Sequence, residues 1–431
     1  MNRPGLALLL TAVAAAPAVA QAPAGLVTGY AAKMLCSTVF VSHRSAAEAL
    51  SQELKLAAPI PYRVDSATRS VVAWIPGAES RRAVWQPGLG CSLRSDSMPW
   101  AGSTGARRAS LVRSQALWPA GERIDTTQLP EGVDAAKLRA ALDGAFAEPT
   151  AAQPKQTRGI VVAWNGRIVA ERYAKGYDAA TPQLGWSMTK SVTNALIGIL
   201  VRQGKVALDR SAAVPEWQQA GDPRAAIRLE DLMRMSSGLA FDESYSLGTS
   251  DVARDLFLTH DAGGFAASLP LADPIGARWS YSSGTTNIIS RIIRHTIGND
   301  SAYREFPRRT LFEPLGIHTA VLEPDPSGTF VGSSFMFASA RDWARFGQLY
   351  LNDGVWNGVR ILPEGWVKYS TSPAKADSTG GYGAQVWINA GGANGKRPHQ
   401  RLPTDAFFFM GYDQQNVAVI PSRGLVVVRL G

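Results

Sequence analysis

Apolar positions in this chain follow two patterns: short runs bounded by turn signals at the ends of its longer part, and a helical period between them. Gly159 to Ala163 and Arg167 to Tyr173 read as strands, and the intervening Asn165-Gly166 is the sequence of a two-residue hairpin turn. Val192, Leu196, Ile199 and Leu200 recur at helical spacing, in a helix that begins at Ser187 and stops near Gly204. Asp209 to about Thr329 reads as helix and loop, with Ser236-Ser237-Gly238 ending one helix and Asn287 to Thr296 forming another, closed by Gly298. Ala340 to Leu351 is a further helix. The chain closes on strands at Ala406 to Met410, Val417 to Ile420 and Leu425 to Leu430. Strands at both ends with helices between them predict an α+β or α/β domain over 158–431. Its closing strands would join the 159–173 hairpin in one antiparallel sheet, with helices on both faces.

The part before Arg158 is less regular. Val39-Phe40-Val41 and Val71 to Ile75 read as short strands, and Ser45 to Leu56 as a helix capped by Ser45. Gln86 to Cys91 reads as a tight turn, and Ser95 to Gly121 is a Gly/Ser/Arg-rich connection without periodicity. No catalytic constellation falls in 21–157, which predicts an accessory segment. Residues 1–20 have the form of a secretory signal: Arg3, an apolar run from Leu6 to Ala16, then Ala18-Val19-Ala20 before Gln21. That run is too short for a confident membrane span, and an uncleaved anchor is the alternative. The expectation is an exported protein, periplasmic or secreted, with no stable membrane anchor. In such a compartment Cys36 and Cys91 can pair, adding roughly 4 kcal/mol in the chain-entropy model; two buried thiols are the alternative.

At 431 residues and 45% hydrophobic, the chain can bury a large core. Its formal charge of +9 suits steering of anions, but no nucleic-acid module is visible, so a diffusely basic surface is the reading kept. The five histidines are scattered without metal-ligand spacing, and no Gly-rich phosphate loop follows a strand. Neither a metal nor a cofactor is expected.

Ser187 and Lys190 stand three apart at a helix start, so they share a face. There a lysine amine can take a serine's proton, and the helix N-terminus can stabilise developing negative charge. The plainer alternative is a capping serine beside a solvated lysine. Ser372-Pro373-Ala374-Lys375 repeats the spacing in a polar loop with no following apolar helix, a poor setting for a rigid pair. Tyr281, in Trp279-Ser280-Tyr281-Ser282-Ser283-Gly284, can relay a proton to a leaving group, and Ser283 can bond Lys190 or a substrate. Tyr281 can equally be a core aromatic. No Gly-x-Ser-x-Gly elbow is present.

Ser187-Met188-Thr189-Lys190-Ser191, Leu232 to Leu239 and Tyr281-Ser282-Ser283, in that order, resemble the serine β-lactamase-like superfamily: class C β-lactamases, penicillin-binding proteins and esterases. Phe241 to Tyr245 and Ala340 to Gly347 are similar to its 6-aminohexanoate-dimer hydrolase branch, and the resemblance runs from Arg158 to Leu430. It implies an antiparallel sheet flanked by helices beside an all-helical subdomain, with the site between them. It also implies an acyl-enzyme on Ser187, with Lys190 and Tyr281 moving protons and an oxyanion hole from the N–H groups of Ser187 and Gln415. Tyr245 would touch substrate. Where relatives carry Lys-Thr-Gly or His-x-Gly near the C-terminus, this chain has Tyr412-Asp413-Gln414 by position, so Tyr412 and Asp413 become the substrate-facing residues there. Losing the cation disfavours carboxylate-bearing substrates, and losing the glycine removes the residue that lets the strand approach closely. The expected activity is hydrolysis of small linear amides or simple esters. A β-lactamase or carboxypeptidase, and a non-catalytic binding protein, are the alternatives.

Overall fold

In the computed structural model, residues 23–94, 115–125, 129–150, 154–245, 248, 250–393 and 395–431 are described. The signal expected at 1–20 and most of the Ser95 to Gly121 connection lie outside them. Helix α1 (Ala24–Phe40) is buried at every position from Gly25 to Thr38. Helix α2 (Ala46–Gln52) follows, with the Glu48 N–H donating to Ser45 Oγ at 3.2 Å as the cap requires. Strands β1 (Tyr62–Asp65), β2 (Ser70–Trp74), β3 (Ser80–Gln86) and β4 (Gly90–Arg94) form an antiparallel sheet in sequential order that packs against α1. On another side α1 meets the helix at Asp251–Phe257. A side chain at Gly29 would put its Cβ 2.2 Å from the Phe257 carbonyl oxygen. The strand expected at Val39-Phe40-Val41 is instead the end of α1 and its cap. A helix covered on several sides carries no polar stripe, so its period is invisible in the sequence. Cys36 of α1 and Cys91 of β4 form the expected disulfide, with Cα atoms 6.0 Å apart.

Helix α3 (Ala135–Phe146) precedes the hairpin of β5 (Gly159–Trp164) and β6 (Arg167–Tyr173). Asn165 and Gly166 take φ of 46° and 75°, the left-handed pair that such a turn needs. Strand β7 (Gln183–Leu184) leads to α4 (Thr189–Arg202). The helical lobe follows: α5 (Leu229–Met233), α6 (Asp251–Phe257), α7 (Ala262–Ser268), α8 (Ser283–Ile297) and α9 (Asp300–Pro307). Then come β8 (Val321–Leu322), β9 (Met336–Ala338), α10 (Ala340–Leu351), the β10 (Val355–Trp356)–β11 (Val359–Arg360) hairpin and α11 (Trp366–Ser370). Strands β12 (Trp387–Ile388), β13 (Phe407–Gly411), β14 (Gln415–Ile420) and β15 (Leu425–Leu430) close the chain.

The main sheet has the order β12-β13-β14-β15-β5-β6 and is antiparallel throughout, so the closing strands do join the hairpin. Alternate residues of β5 serve its two faces. Val161 and Ala163 enter the main core, while Ile160 packs with Leu142 of α3. On the core face, Gly347 lets α10 lie against β14 and β15; a Cβ there would sit 2.9 Å from Val417 and 2.7 Å from Val426. Among the described residues, no helix is long and apolar enough to cross a membrane.

Candidate active site

Ser187 sits on a single 3₁₀ turn, Trp186–Met188, that runs directly into α4. Trp186 holds φ at 47°, which bulky residues rarely adopt. Neighbours fix it there. The Gly185 N–H donates to the Met336 carbonyl at 2.8 Å, and Thr189 Oγ1 donates to the Trp186 carbonyl at 2.7 Å. Strand β13 closes the other side. Gly411 lies so close that a Cβ would stand 2.1 Å from the Gly185 carbonyl oxygen.

Lys190 is 1% exposed, and its Nζ has three oxygen neighbours: Ser187 Oγ at 3.2 Å, Ser283 Oγ at 3.0 Å and the Ser333 carbonyl at 3.1 Å. Ser283 gives its own hydroxyl proton to Glu243 Oε1 at 2.7 Å, so its oxygen is left to accept. A carbonyl only accepts. A neutral lysine therefore spends its two protons on Ser283 and Ser333, and its lone pair remains for the Ser187 hydroxyl. Burial favours that neutral form: it lowers the Lys190 ammonium to about 8, against Glu243 and Asp255, which raise it.

Tyr281 lies close by, its ring centroid 4.7 Å from Lys190 Nζ. Burial pushes the phenol well above its ordinary value, and a hydrogen bond with Ser187 only partly offsets this. A phenol so raised keeps its proton and can serve as a donor. Trp279, Tyr382 and Trp387 pack around its ring with centroids 5.4 to 6.3 Å away.

Ser187 opens into a cleft of about 140 Å³ whose walls include Trp186, Val252, Leu256 and Phe257 from the main domain and Tyr30, Glu53 and Leu56 from the N-terminal segment. Ser283, Ser334, Tyr245 and Tyr412 supply further polar edges. Residues 142–430 match the sequence model of the Beta-lactamase family, two thirds of the chain.

The chain belongs to the Beta-lactamase family.

A 6-aminohexanoate-dimer hydrolase from Paenarthrobacter ureafaciens is 24% identical over 229 residues, covering 49% of this chain and 56% of that protein. The chain thus spans little more than half of that relative's length. Among solved structures, one from Bacillus anthracis, provisionally named a 6-aminohexanoate-dimer hydrolase, superposes with a TM-score of 0.55. It shares 24% identity, over 68% of this chain and 76% of that one. A penicillin-binding protein homologue from Caulobacter crescentus gives 0.51 at 19% identity, over 68% and 90%. At these identities the structures speak to the fold, which is that of β-lactamases and penicillin-binding proteins.

Of the residues singled out in the sequence, the structure brings Ser187, Lys190, Tyr281 and Ser283 together, and it sets Tyr245 and Tyr412 at the cleft mouth with ring centroids 5.5 Å apart. Ser372 spends its hydroxyl proton elsewhere, donating to the Lys368 carbonyl at 2.6 Å. Two expectations require correction. Gln415 does not line the Ser187 cleft. Its N–H faces the Tyr412 carbonyl across the turn at 3.5 Å, and its carboxamide bonds the backbone of Gly431. Asp413 turns away too, 3.7 Å from Arg158 in an adjoining cavity. The close-approach glycine is not missing: it is Gly411, one residue before the triplet where it was sought.

Sequence reasoning missed Glu243. It accepts from both the N–H and the hydroxyl of Ser283 at 2.7 Å, at the positive end of the α8 dipole. Its stretch was noted as family-like, but a single carboxylate in a loop carries no spacing signal. Ser333 and the wall residues Tyr30, Glu53 and Leu56 were likewise unassigned, since nothing local marks them.

Proposed function

We propose that this chain hydrolyses small linear amides or simple esters through an acyl-enzyme on Ser187. Ser187 Oγ attacks the carbonyl carbon as its proton passes to the Lys190 lone pair. The carbonyl oxygen becomes an oxyanion that the backbone N–H groups of Ser187 and Tyr412 stabilise. The C–N or C–O bond then breaks, Tyr281 delivers a proton to the departing amine or alcohol, and Lys190 restores the Tyr281 proton. Water repeats the sequence on the acyl-enzyme, releasing the acid and free Ser187. The observation that carries this reading is the saturation of Lys190 by Ser283 and the Ser333 carbonyl, which directs its remaining lone pair at Ser187. The oxyanion role passes from Gln415 to Tyr412 because Gly411 packs on the Gly185 carbonyl while Tyr412 reaches the cleft.

Largely apolar walls, and no lysine or arginine among the described residues at the cleft surface, favour uncharged chains at the scissile bond over the carboxylate of a β-lactam or a D-Ala-D-Ala end. The named relatives point the same way, toward amides of amino-acid oligomers. The disulfide fits an exported protein. The test is parallel turnover of a linear 6-aminohexanoate dimer, a 4-nitrophenyl butanoate and a chromogenic cephalosporin. Amide or ester cleavage is expected, falling roughly 10³-fold or more in Ser187→Ala with the fold intact. Rapid cephalosporin turnover with the other two inert would overturn the substrate assignment. Undiminished turnover in Ser187→Ala would overturn the nucleophile.

A further inference from the structure

Behind Trp186 lies a second cavity of about 70 Å³, well above the roughly 10–15 Å³ that one water needs. It shares Tyr30, Glu53, Trp186 and Tyr412 with the Ser187 cleft, so the two adjoin at the Trp186–Tyr412 ring contact. Its charged groups meet only in long ion pairs. Arg158 Nη2 pairs with Glu53 Oε2 at 3.5 Å and with Asp413 Oδ2 at 3.7 Å, and neither Arg158 Nη2 nor Glu53 Oε2 makes a hydrogen bond. Gln183, 5% exposed, has neither its amide nitrogen nor its amide oxygen bonded. Buried polar atoms are nearly always hydrogen-bonded, so four atoms without a hydrogen bond in the residues lining one cavity point to what would fill it. Glu53 Oε2 and Gln183 Oε1 need donors, while Arg158 Nη2 and Gln183 Nε2 need acceptors. The charged residues are balanced, Arg44 and Arg158 against Glu53 and Asp413.

We propose that this cavity is a substrate subsite for a zwitterionic amino-acid end, an ammonium and a carboxylate on the same carbon. The carboxylate accepts from Arg158 and Gln183, and the ammonium donates to Glu53 and the Gln183 oxygen. A few methylenes then pass Trp186 and bring the scissile carbonyl to Ser187. This rests on the acyl-enzyme reading above and names the class of amide it serves: one formed on the side chain of an amino acid whose α-groups are free. Gln183 opens the short strand that precedes the Ser187 turn, so the subsite and the nucleophile lie on adjoining elements.

Binding to Ser187→Ala protein isolates the subsite from catalysis. Four probes differ only at the far end: the γ-(4-nitroanilide) of L-glutamate, the mono-(4-nitroanilide) of glutarate, and the 4-nitroanilides of 4-aminobutanoate and butanoate. Calorimetry should give the glutamyl probe a Kd at least tenfold below each of the others. Adding Gln183→Leu should erase that advantage. Adding Glu53→Gln, which keeps the side-chain shape, should weaken the glutamyl probe several-fold and the glutarate probe much less. Equal affinities, absence of glutamyl binding, or an advantage that survives both substitutions would overturn the subsite. Turnover of the butanoyl probe by the wild-type enzyme and its loss in Ser187→Ala test the acyl-enzyme reading separately.

Discussion

Burial lowers the Lys190 ammonium from an ordinary 10.5 to about 8, while Glu243 and Asp255 oppose the change. Only the neutral amine has a lone pair for Ser187. Below pH 8 that fraction falls, so kcat/KM for a nitrophenyl ester should rise toward a plateau with its midpoint near pH 8. An activity flat from pH 6 to 9 would contradict Lys190 as the base. Glu243 tunes the same group. Its negative charge favours the ammonium, so Glu243→Gln should move the limb to lower pH. A limb that stays in place, or moves up, would remove Glu243 from the proton chemistry. Lys190→Ala should lose nearly all turnover, because no other described amine approaches Ser187 Oγ.

At Gly411, strand β13 meets the start of the Ser187 turn backbone to backbone, with no side chain to hold them apart. Gly411→Ala would thrust a methyl group to within 2.1 Å of the Gly185 carbonyl, forcing the strand away and taking the Tyr412 N–H with it. We expect kcat/KM to fall on the order of a hundredfold, with Tm changing little. Activity within twofold of wild type would argue against an oxyanion donor on this strand. Elements with a clear period were legible in the sequence: α10 and β15 lie where the pattern puts them, and Asn165-Gly166 makes its hairpin turn. Helix α1 was not, because burial on several sides erases the polar stripe. The motif on β13 was misplaced by register. Asp413 and Gln414 both adopt left-handed φ, near 60°, which sequence alone does not foretell for these residue types, so the glycine was sought among them. Ser187 and Lys190 were legible because their spacing is local, and Ser283 because it stands two residues after Tyr281. Glu243 and Ser333 meet Lys190 only through the fold.

The N-terminal segment and the main domain are joined where both are driest. Lys33 of α1 forms an ion pair with Glu323, which also accepts from Ser37 Oγ and from the Cys91 N–H at 2.6 Å. The two side chains are 2% and 0% exposed. The Val331 N–H donates to the Glu323 carbonyl, in the stretch that continues to Ser333 and Lys190. Lys33→Met would leave a buried carboxylate without its counter-charge and should cost about 3–5 kcal/mol in urea unfolding at neutral pH. A cost under 1 kcal/mol would mean that the segment is not held through this pair. With Tyr30, Glu53 and Leu56 in its walls, the site belongs to the whole chain, and so does its decisive test: intact-mass spectrometry after reaction with a fluorophosphonate, followed by peptide mapping. One adduct per chain is expected, on Ser187, absent from Ser187→Ala and forming faster as pH rises toward 8. No adduct on the folded protein, or an adduct on any other residue, would contradict Ser187 as the nucleophile.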